Sequence, residues 1–193
     1  MHRSKRLRSG EQTTRQQGRL LPLLAVFFMS VAVCGVVAGA RVNTTRSIPV
    51  GLYRATGAPV TKGAYVFFCP PPRAPFDLAR ARGYISAGPC RGGYGHLMKR
   101  VAAVHGDVVR IADDGVWVNG QLLAHSAQRG ADRAGQPLPR YVFGPSPLGP
   151  GEVLLMSDGS PTSFDGRYFG PIPRACIQTV IRPVMTWDDV PRS

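Results

Sequence analysis

Between Arg19 and Arg41 the chain runs for 21 residues, Leu20 to Ala40, without a charge. As a helix this run would be about 31 Å long, close to the hydrocarbon thickness of a bilayer. No other feature limits the chain as much. The 19 residues before it hold six Arg or Lys and one Glu, a polar basic tail expected to be disordered and to stay in the cytoplasm. Arg41 and Arg46 follow the run, which weakens that bias without reversing it. Two readings stay open: a retained single-pass anchor, or a signal peptide cleaved after Ala40, since Ala38-Gly39-Ala40 has the A-x-A form. The length of the run favours the anchor. On either reading residues 41–193 lie outside the cytoplasm. The expected organisation is therefore a tail over 1–19, an anchor over 20–40 and one domain over 41–193, large enough for a real core.

Lys and Arg number 24 against 11 Asp and Glu, a net charge of +13. The tail accounts for +5 of this, and the remaining +8 is scattered among Gly and Pro and forms no basic helix. There is no zinc knuckle and no aromatic RNA-binding motif, so nucleic acid is not the expected partner. Anionic lipid headgroups of the inner membrane suit a basic juxtamembrane tail better. Of the four cysteines, Cys34 lies in the apolar run and Cys176 in a late apolar stretch. Cys69 and Cys90 bracket a Pro-rich insertion. Outside the cytoplasm they are the obvious pair, closing a loop of about 20 residues worth ~3 kcal/mol in loop entropy. No Cys or His spacing suggests a metal, and no cofactor is expected.

Along the domain, Val60 to Phe68 reads as a turn feeding a buried strand. Cys69-Pro70-Pro71-Pro72 ends it, because prolines neither donate to a sheet nor continue a helix. Phe76 to Arg82 can form a short helix stopped by Gly83. Gly88 to Gly95 is a Gly-rich loop without the Gly-Lys-Ser/Thr of a phosphate loop, so 69–95 reads as an inserted loop. Leu97 to Val104 resumes a strand, with Lys99 and Arg100 as its anomaly. Asp113-Asp114-Gly115 and Asn119-Gly120 are hairpin signals around Val116-Trp117-Val118, giving an antiparallel meander with Val108 to Ile111. Residues 124–150 read as a long surface loop. Glu152 to Met156 and Ile177 to Val184 are the last strands. The fold class is mostly β, closed into a partly open barrel or two packed sheets.

The stretch Asn43 to Tyr53 follows directly on the apolar run. In it Ser47 precedes Ile48-Pro49-Val50-Gly51. Pro49 sets its own φ and pushes Ile48 toward an extended conformation, while Gly51 permits a backbone angle closed to other residues. A serine held this way is a candidate nucleophile if the chain supplies a base. His2 lies in the tail, His125 in the surface loop, and His105 before a Gly-Asp turn. His96 has no acidic partner at a recognisable spacing. Lys99 is the better base, because desolvation in an apolar strand lowers the pKa of an ammonium. The alternative is a lysine that snorkels out of an edge strand.

Taken in order, Ser47-Ile48-Pro49-x-Gly51, Met98-Lys99-Arg100-Val101 with Gly106-Asp107, Ser157-Asp158, and Ser163-x-Asp165-x-Arg167-Tyr168-Phe169-Gly170 resemble the Ser/Lys signal peptidase family. The flanks of Ser47 and Arg167 look like its TraF-type branch in conjugative transfer systems. The resemblance covers roughly residues 42–183. It implies a signal-peptidase-like, LexA-like antiparallel β domain behind a membrane anchor, with Ser47 as nucleophile and Lys99 as general base. It implies that the Ser47 N–H, helped by the Thr45 hydroxyl, stabilises the oxyanion and that Ser163 orients the Lys99 amine. Asp165 would pair with Arg167 and also matter for activity. The partners implied are a pilin precursor or another membrane-linked preprotein, and mating-pair-formation proteins. Gly166 stands where signal peptidases usually have Ser, and Ser157-Asp158-Gly159 lacks the usual Gly-Asp-Asn-Arg, which argues against general secretory clients. The rivals are a general signal peptidase, a non-enzymatic assembly factor of a secretion channel, and a self-cleaving repressor that should carry a DNA-binding domain where this chain has its apolar run.

Overall fold

A computed structural model describes residues 22–24, 26–31, 33–35, 37–157 and 159–187. The chain divides into two units, Met1–Ala40 and Arg41–Ser193. In the first, residues 22–24, 26–31 and 33–35 are helical, and apolar side chains such as Leu23 and Phe28 are exposed. Among the described residues no helix is long and apolar enough to cross a membrane. Five positions of the expected anchor, and the whole of the basic tail with His2, lie outside the described residues. The fold by itself therefore does not establish the transmembrane helix. Cys34 is exposed within this segment.

Strands β1 (Ala40–Asn43), β2 (Gly51–Thr56), β3 (Tyr65–Phe68), β5 (Leu97–Ala103), β10 (Glu152–Met156), β11 (Ile172–Pro173) and β12 (Ile177–Thr186) form a seven-stranded sheet in the order β1-β2-β12-β3-β5-β10-β11. A second sheet, β8-β7-β6-β9, is built from β6 (Val108–Ala112), β7 (Gly115–Val118), β8 (Gln121–Leu122) and β9 (Phe143–Pro147). Two sheets are thus the form the mostly-β chain takes. Strand β5 shows why it pairs as it does. Lys99, Val101 and Ala103 are buried in alternation while Arg100 is exposed, the period of a strand with one face on the core. It pairs antiparallel with β3 on one side and β10 on the other.

One apolar cluster lies under the large sheet, with Val66, Phe68, Phe76, Tyr94, Val101, Leu155 and Phe169. A second, with Ala103, Val109, Ile111, Val116, Leu148, Leu154 and Met156, joins β5 and β10 to the small sheet. Asn119 and Gly120 both have positive φ (51° and 79°), as a two-residue hairpin between β7 and β8 requires.

The structure differs from the sequence reading at four places. The helix is α1 (Ala74–Ala81), stopped before Gly83, but Ala87–Cys90 in the expected Gly-rich loop is a strand, β4. The surface loop over 124–150 contains β9, whose two prolines are tolerated because it is the edge strand beside β6. The Ser163 segment contains a short helix, α2 (Gly166–Phe169). Gly51 sits in β2 without a positive φ, and a Cβ there would lie 2.8 Å from the Cα of Thr186. Close approach of two backbones demands that glycine, not a left-handed angle.

Cys69 and Cys90 are joined by a disulfide, and Cys176 is free. The bridge closes the lobe that carries α1 and Tyr84. The sulfurs lie with a ring nitrogen of His96 within 4.8 Å of one another, but sulfurs in a disulfide are not available as thiolate ligands.

Candidate active site

Lys99 reaches its position because β5 keeps strict alternation. Its side chain falls in phase with Val101 and Ala103 and so points inward. Only 2% of it is exposed. Burial holds its ammonium down to about 8 from 10.5; the Asp165 carboxylate raises it and the Arg167 guanidinium lowers it again. Desolvation wins because those two charges are opposite and adjacent.

Three hydroxyls meet the amine. Nζ lies 2.6 Å from Ser163 Oγ, 2.8 Å from Ser47 Oγ and 3.2 Å from Ser157 Oγ, and the Ser47 and Ser163 oxygens are 3.1 Å apart. A charged ammonium donates to all three. A neutral amine has two N–H groups and one lone pair, so one of the three hydroxyls must then donate to it. If that hydroxyl is Ser47, the lone pair receives the proton that a nucleophile has to lose.

The Ser47 loop is held by a residue the sequence reading gave no role. Asn43, 4% exposed, donates from Nδ2 to the carbonyls of Thr45 (2.7 Å), Ile48 (2.9 Å) and Pro49 (3.0 Å). Its Oδ1 accepts from the Thr45 N–H and the Thr45 hydroxyl. The first of these is an Asx turn, and the Asn-Thr-Thr sequence was its signal. The Tyr53 hydroxyl donates to the Pro49 carbonyl at 2.6 Å. Among the described residues the Ser47 N–H donates to no protein acceptor, so it is available to an incoming carbonyl oxygen. Thr45 does not fit its expected place beside that oxygen. Its hydroxyl proton is committed to Asn43, so it ties the loop instead.

Asp165 and Arg167 are both buried and bidentate: Nε to Oδ1 at 2.8 Å and Nη2 to Oδ2 at 2.9 Å. Asp165 also caps α2 by accepting from the Arg167 N–H. The guanidinium donates on to the carbonyls of His125 and Ser160, which joins the two loops around it. Asp165 was expected among the catalytic groups; the structure places it beside the site, where its charge acts on Lys99, and not in contact with the reacting atoms. Both carboxylate oxygens are occupied, Oδ2 also by the Ser157 N–H at 3.1 Å, and neither touches Ser47 or Lys99. Asp165 holds the Ser157 backbone, and the Ser157 hydroxyl faces Lys99. Sequence reasoning missed the Ser157 side chain, although β10 signals it: Met156 pairs with Arg100, so the next residue comes opposite Lys99. A Cβ at Gly166 would lie 2.8 Å from the Leu155 carbonyl oxygen, which accounts for glycine between the ion-pair residues. Asp158 lies outside the described residues.

His96 stacks on Phe67 with ring centroids 4.3 Å apart, and His105 Nδ1 meets the Leu148 carbonyl. Neither is within hydrogen-bond reach of Ser47 among the described residues. Ser47, Lys99 and Ser163 line a cleft of about 920 Å³, walled by Phe67, Leu97, Tyr84, Phe164 and the loop over 129–138.

A hydroxyl, a buried amine and a supporting serine on a β scaffold have the arrangement of a serine peptidase that uses lysine in place of histidine. Residues 17–186 match the family model described as signal peptidase, peptidase S26, and the chain belongs to that family. The plasmid transfer protein TraF of Escherichia coli is 62% identical over 165 residues, 86% of this chain and 93% of that one. The conjugal transfer protein TraF of Agrobacterium fabrum is 38% identical over 88% of this chain and 96% of that one. Signal peptidase I V of Bacillus subtilis is 33% identical over 44% of this chain and 55% of that one.

Proposed function

We propose that this chain is a membrane-anchored serine endopeptidase of conjugal transfer that uses Ser47 and Lys99 to process a pilin precursor. The observation that carries this reading is Lys99 Nζ at 2.8 Å from Ser47 Oγ in a buried pocket. Similarity to the TraF proteins supports the setting. The 21 uncharged residues from Leu20 to Ala40 support a single anchor in the bacterial inner membrane with the domain in the periplasm.

In the reaction, neutral Lys99 takes the Ser47 proton as Oγ attacks the scissile carbonyl carbon. The negative charge moves to the carbonyl oxygen, where the Ser47 N–H donates to it. The C–N bond then breaks, Lys99 returns the proton to the departing amine, and an acyl ester on Ser47 remains. Water activated by Lys99 hydrolyses that ester and restores the serine. If a peptide amine attacks instead, the new ends are joined.

The test is the mass of the mature pilin in cells carrying the wild-type chain or Ser47→Ala. Wild-type cells should give a trimmed pilin, lighter by one further water if its ends are joined, and Ser47→Ala should leave the precursor. A precursor left whole by the wild type, or trimmed despite Ser47→Ala, removes this reading. General secretory clients would instead appear as many uncleaved preproteins.

A further inference from the structure

The cleft that ends at Ser47 is lined by four arginines, Arg46, Arg82, Arg129 and Arg133, against one carboxylate, Asp132. That carboxylate is already engaged. Its Oδ1 accepts from the N–H groups of Ala134 and Gln136, and its Oδ2 accepts from the Tyr84 hydroxyl. Elsewhere in the domain four acids are matched with bases: Asp107 with Lys62, Asp113 with Arg140, Asp114 with Arg110 and Asp165 with Arg167. Among the described residues none of the four cleft arginines has such a partner. Arg82 gives one N–H to the Pro137 carbonyl at 2.8 Å, and its charge, after the Tyr84 hydroxyl, helps to hold the Asp132 carboxyl low without a direct ion pair, so it is only partly compensated.

The wall that carries these charges is held in place. The Arg129 N–H donates to the Tyr168 hydroxyl at 3.1 Å, and Tyr84 and Arg82 tie the disulfide-closed lobe to Asp132 and Pro137. Guanidinium groups on fixed backbone lose less freedom on binding and match carboxylates with two parallel N–H donors. A concave site lined by one sign of charge also concentrates ligands of the opposite sign.

We propose that the peptide segment taken by this cleft is acidic, with carboxylates held by Arg46, Arg82, Arg129 and Arg133 while the scissile bond lies at Ser47. This rests on the peptidase reading for what happens at Ser47, but not for the binding. The carboxylates can be side chains or the free carboxyl terminus of the segment, and the guanidinium chemistry is the same.

The experiment measures binding of labelled Ala-rich peptides to the full-length Ser47→Ala chain in zwitterionic detergent, where no chemistry occurs. Three peptides are compared: one with two Glu and an amidated end, one with two Gln and a free acid end, and one with two Gln and an amidated end. At low salt at least one carboxylate-bearing peptide should bind about tenfold or more tightly than the neutral one. The advantage should shrink as salt screens the charges. It should fall at least several-fold in Arg129→Gln/Arg133→Gln, which keeps Arg46 and Arg82, and survive in full in Arg91→Gln, a control outside the cleft. Arg133→Glu should weaken the acidic peptides further. The arm that gains, Glu or free acid, identifies the source of the carboxylate. Equal affinity of all three peptides overturns the proposal, as does an advantage undiminished in the double variant. Failure of the pilin test leaves this result unaffected, and failure here leaves Ser47 chemistry standing.

Discussion

Two cations are buried on either side of Ser157, and they are treated in opposite ways. Arg167 has a carboxylate across a bidentate contact and four carbonyls beyond it, so its charge is satisfied in every direction. Lys99 has no carboxylate in contact among the described residues, only three hydroxyls. A guanidinium keeps its proton at any working pH, and its pair with Asp165 can serve as a fixed strut. An ammonium surrounded by neutral groups gives its proton up near neutrality. The nearby Asp165 charge would spoil that tuning if it stood alone. Arg167 cancels it, so the strut also shields the switch.

The strongest way to break this contrast is to make the lysine permanently charged. Lys99→Arg should cut turnover by about 10³-fold or more, a barrier increase of about 4 kcal/mol, as should Ser47→Ala. Cleavage of a matched peptide by the folded variants is the measurement. An active Lys99→Arg enzyme beside a dead His96→Ala would replace the Ser/Lys pair with a Ser/His one.

Removing half of the strut should cost stability before chemistry. Asp165→Asn leaves the Arg167 charge buried without its counter-ion, a loss of about 3–5 kcal/mol, read as a fall in the denaturation midpoint. A midpoint within experimental scatter of wild type would mean the pair is not the structural element described here.

Removing the switch should do the reverse. The Lys99 pKa of about 8 lies below its 10.5 in the unfolded chain, so below pH 8 the folded state carries a penalty of about 3 kcal/mol. Between about 8 and 10.5 the unfolded state binds more protons, and wild-type stability rises with pH. Lys99→Met should therefore be inactive yet more stable than wild type at pH 7, with the gap closing across that window. A destabilised Lys99→Met with no pH-dependent gap would show that the lysine is not desolvated.

The smallest effect is the sharpest on tuning. Log kcat/KM should climb about one unit per pH unit and level off above about 8 as Lys99 loses its proton. Ser157→Ala should lower activity less than about tenfold, under roughly 1.4 kcal/mol, and move that inflection. An unmoved inflection would give Ser157 no part in setting the amine.

Much of this was readable along the chain. Apolar content marked β5, with Lys99 and Arg100 as its anomaly, and Asn119-Gly120 marked a hairpin. Those features depend on neighbours in sequence, where composition and φ/ψ preference act directly, whereas the Asp165–Arg167 ion pair was implied only by the family resemblance. β4 and β9 were hidden because Gly and Pro weigh against strands locally; pairing with β6 outweighs that preference for β9, and β4 is held by bridges to Tyr94. The glycine at 51 was noticed for the wrong reason, since its constraint comes from Thr186 at the far end of the domain.

The amino-acid sequence by itself determined the residue types: a serine before a proline turn, a lysine in an apolar strand, an acid and a base two residues apart, and a long run without charge. Tertiary structure alone decided which of them meet. It brought Ser47, Lys99, Ser157 and Ser163 into one pocket across separations of up to 116 residues and kept Asp165 off the amine. The physical reason is that a pKa and a proton path depend on burial and on distances of a few ångströms. Both are properties of the packed sheet rather than of any stretch of chain.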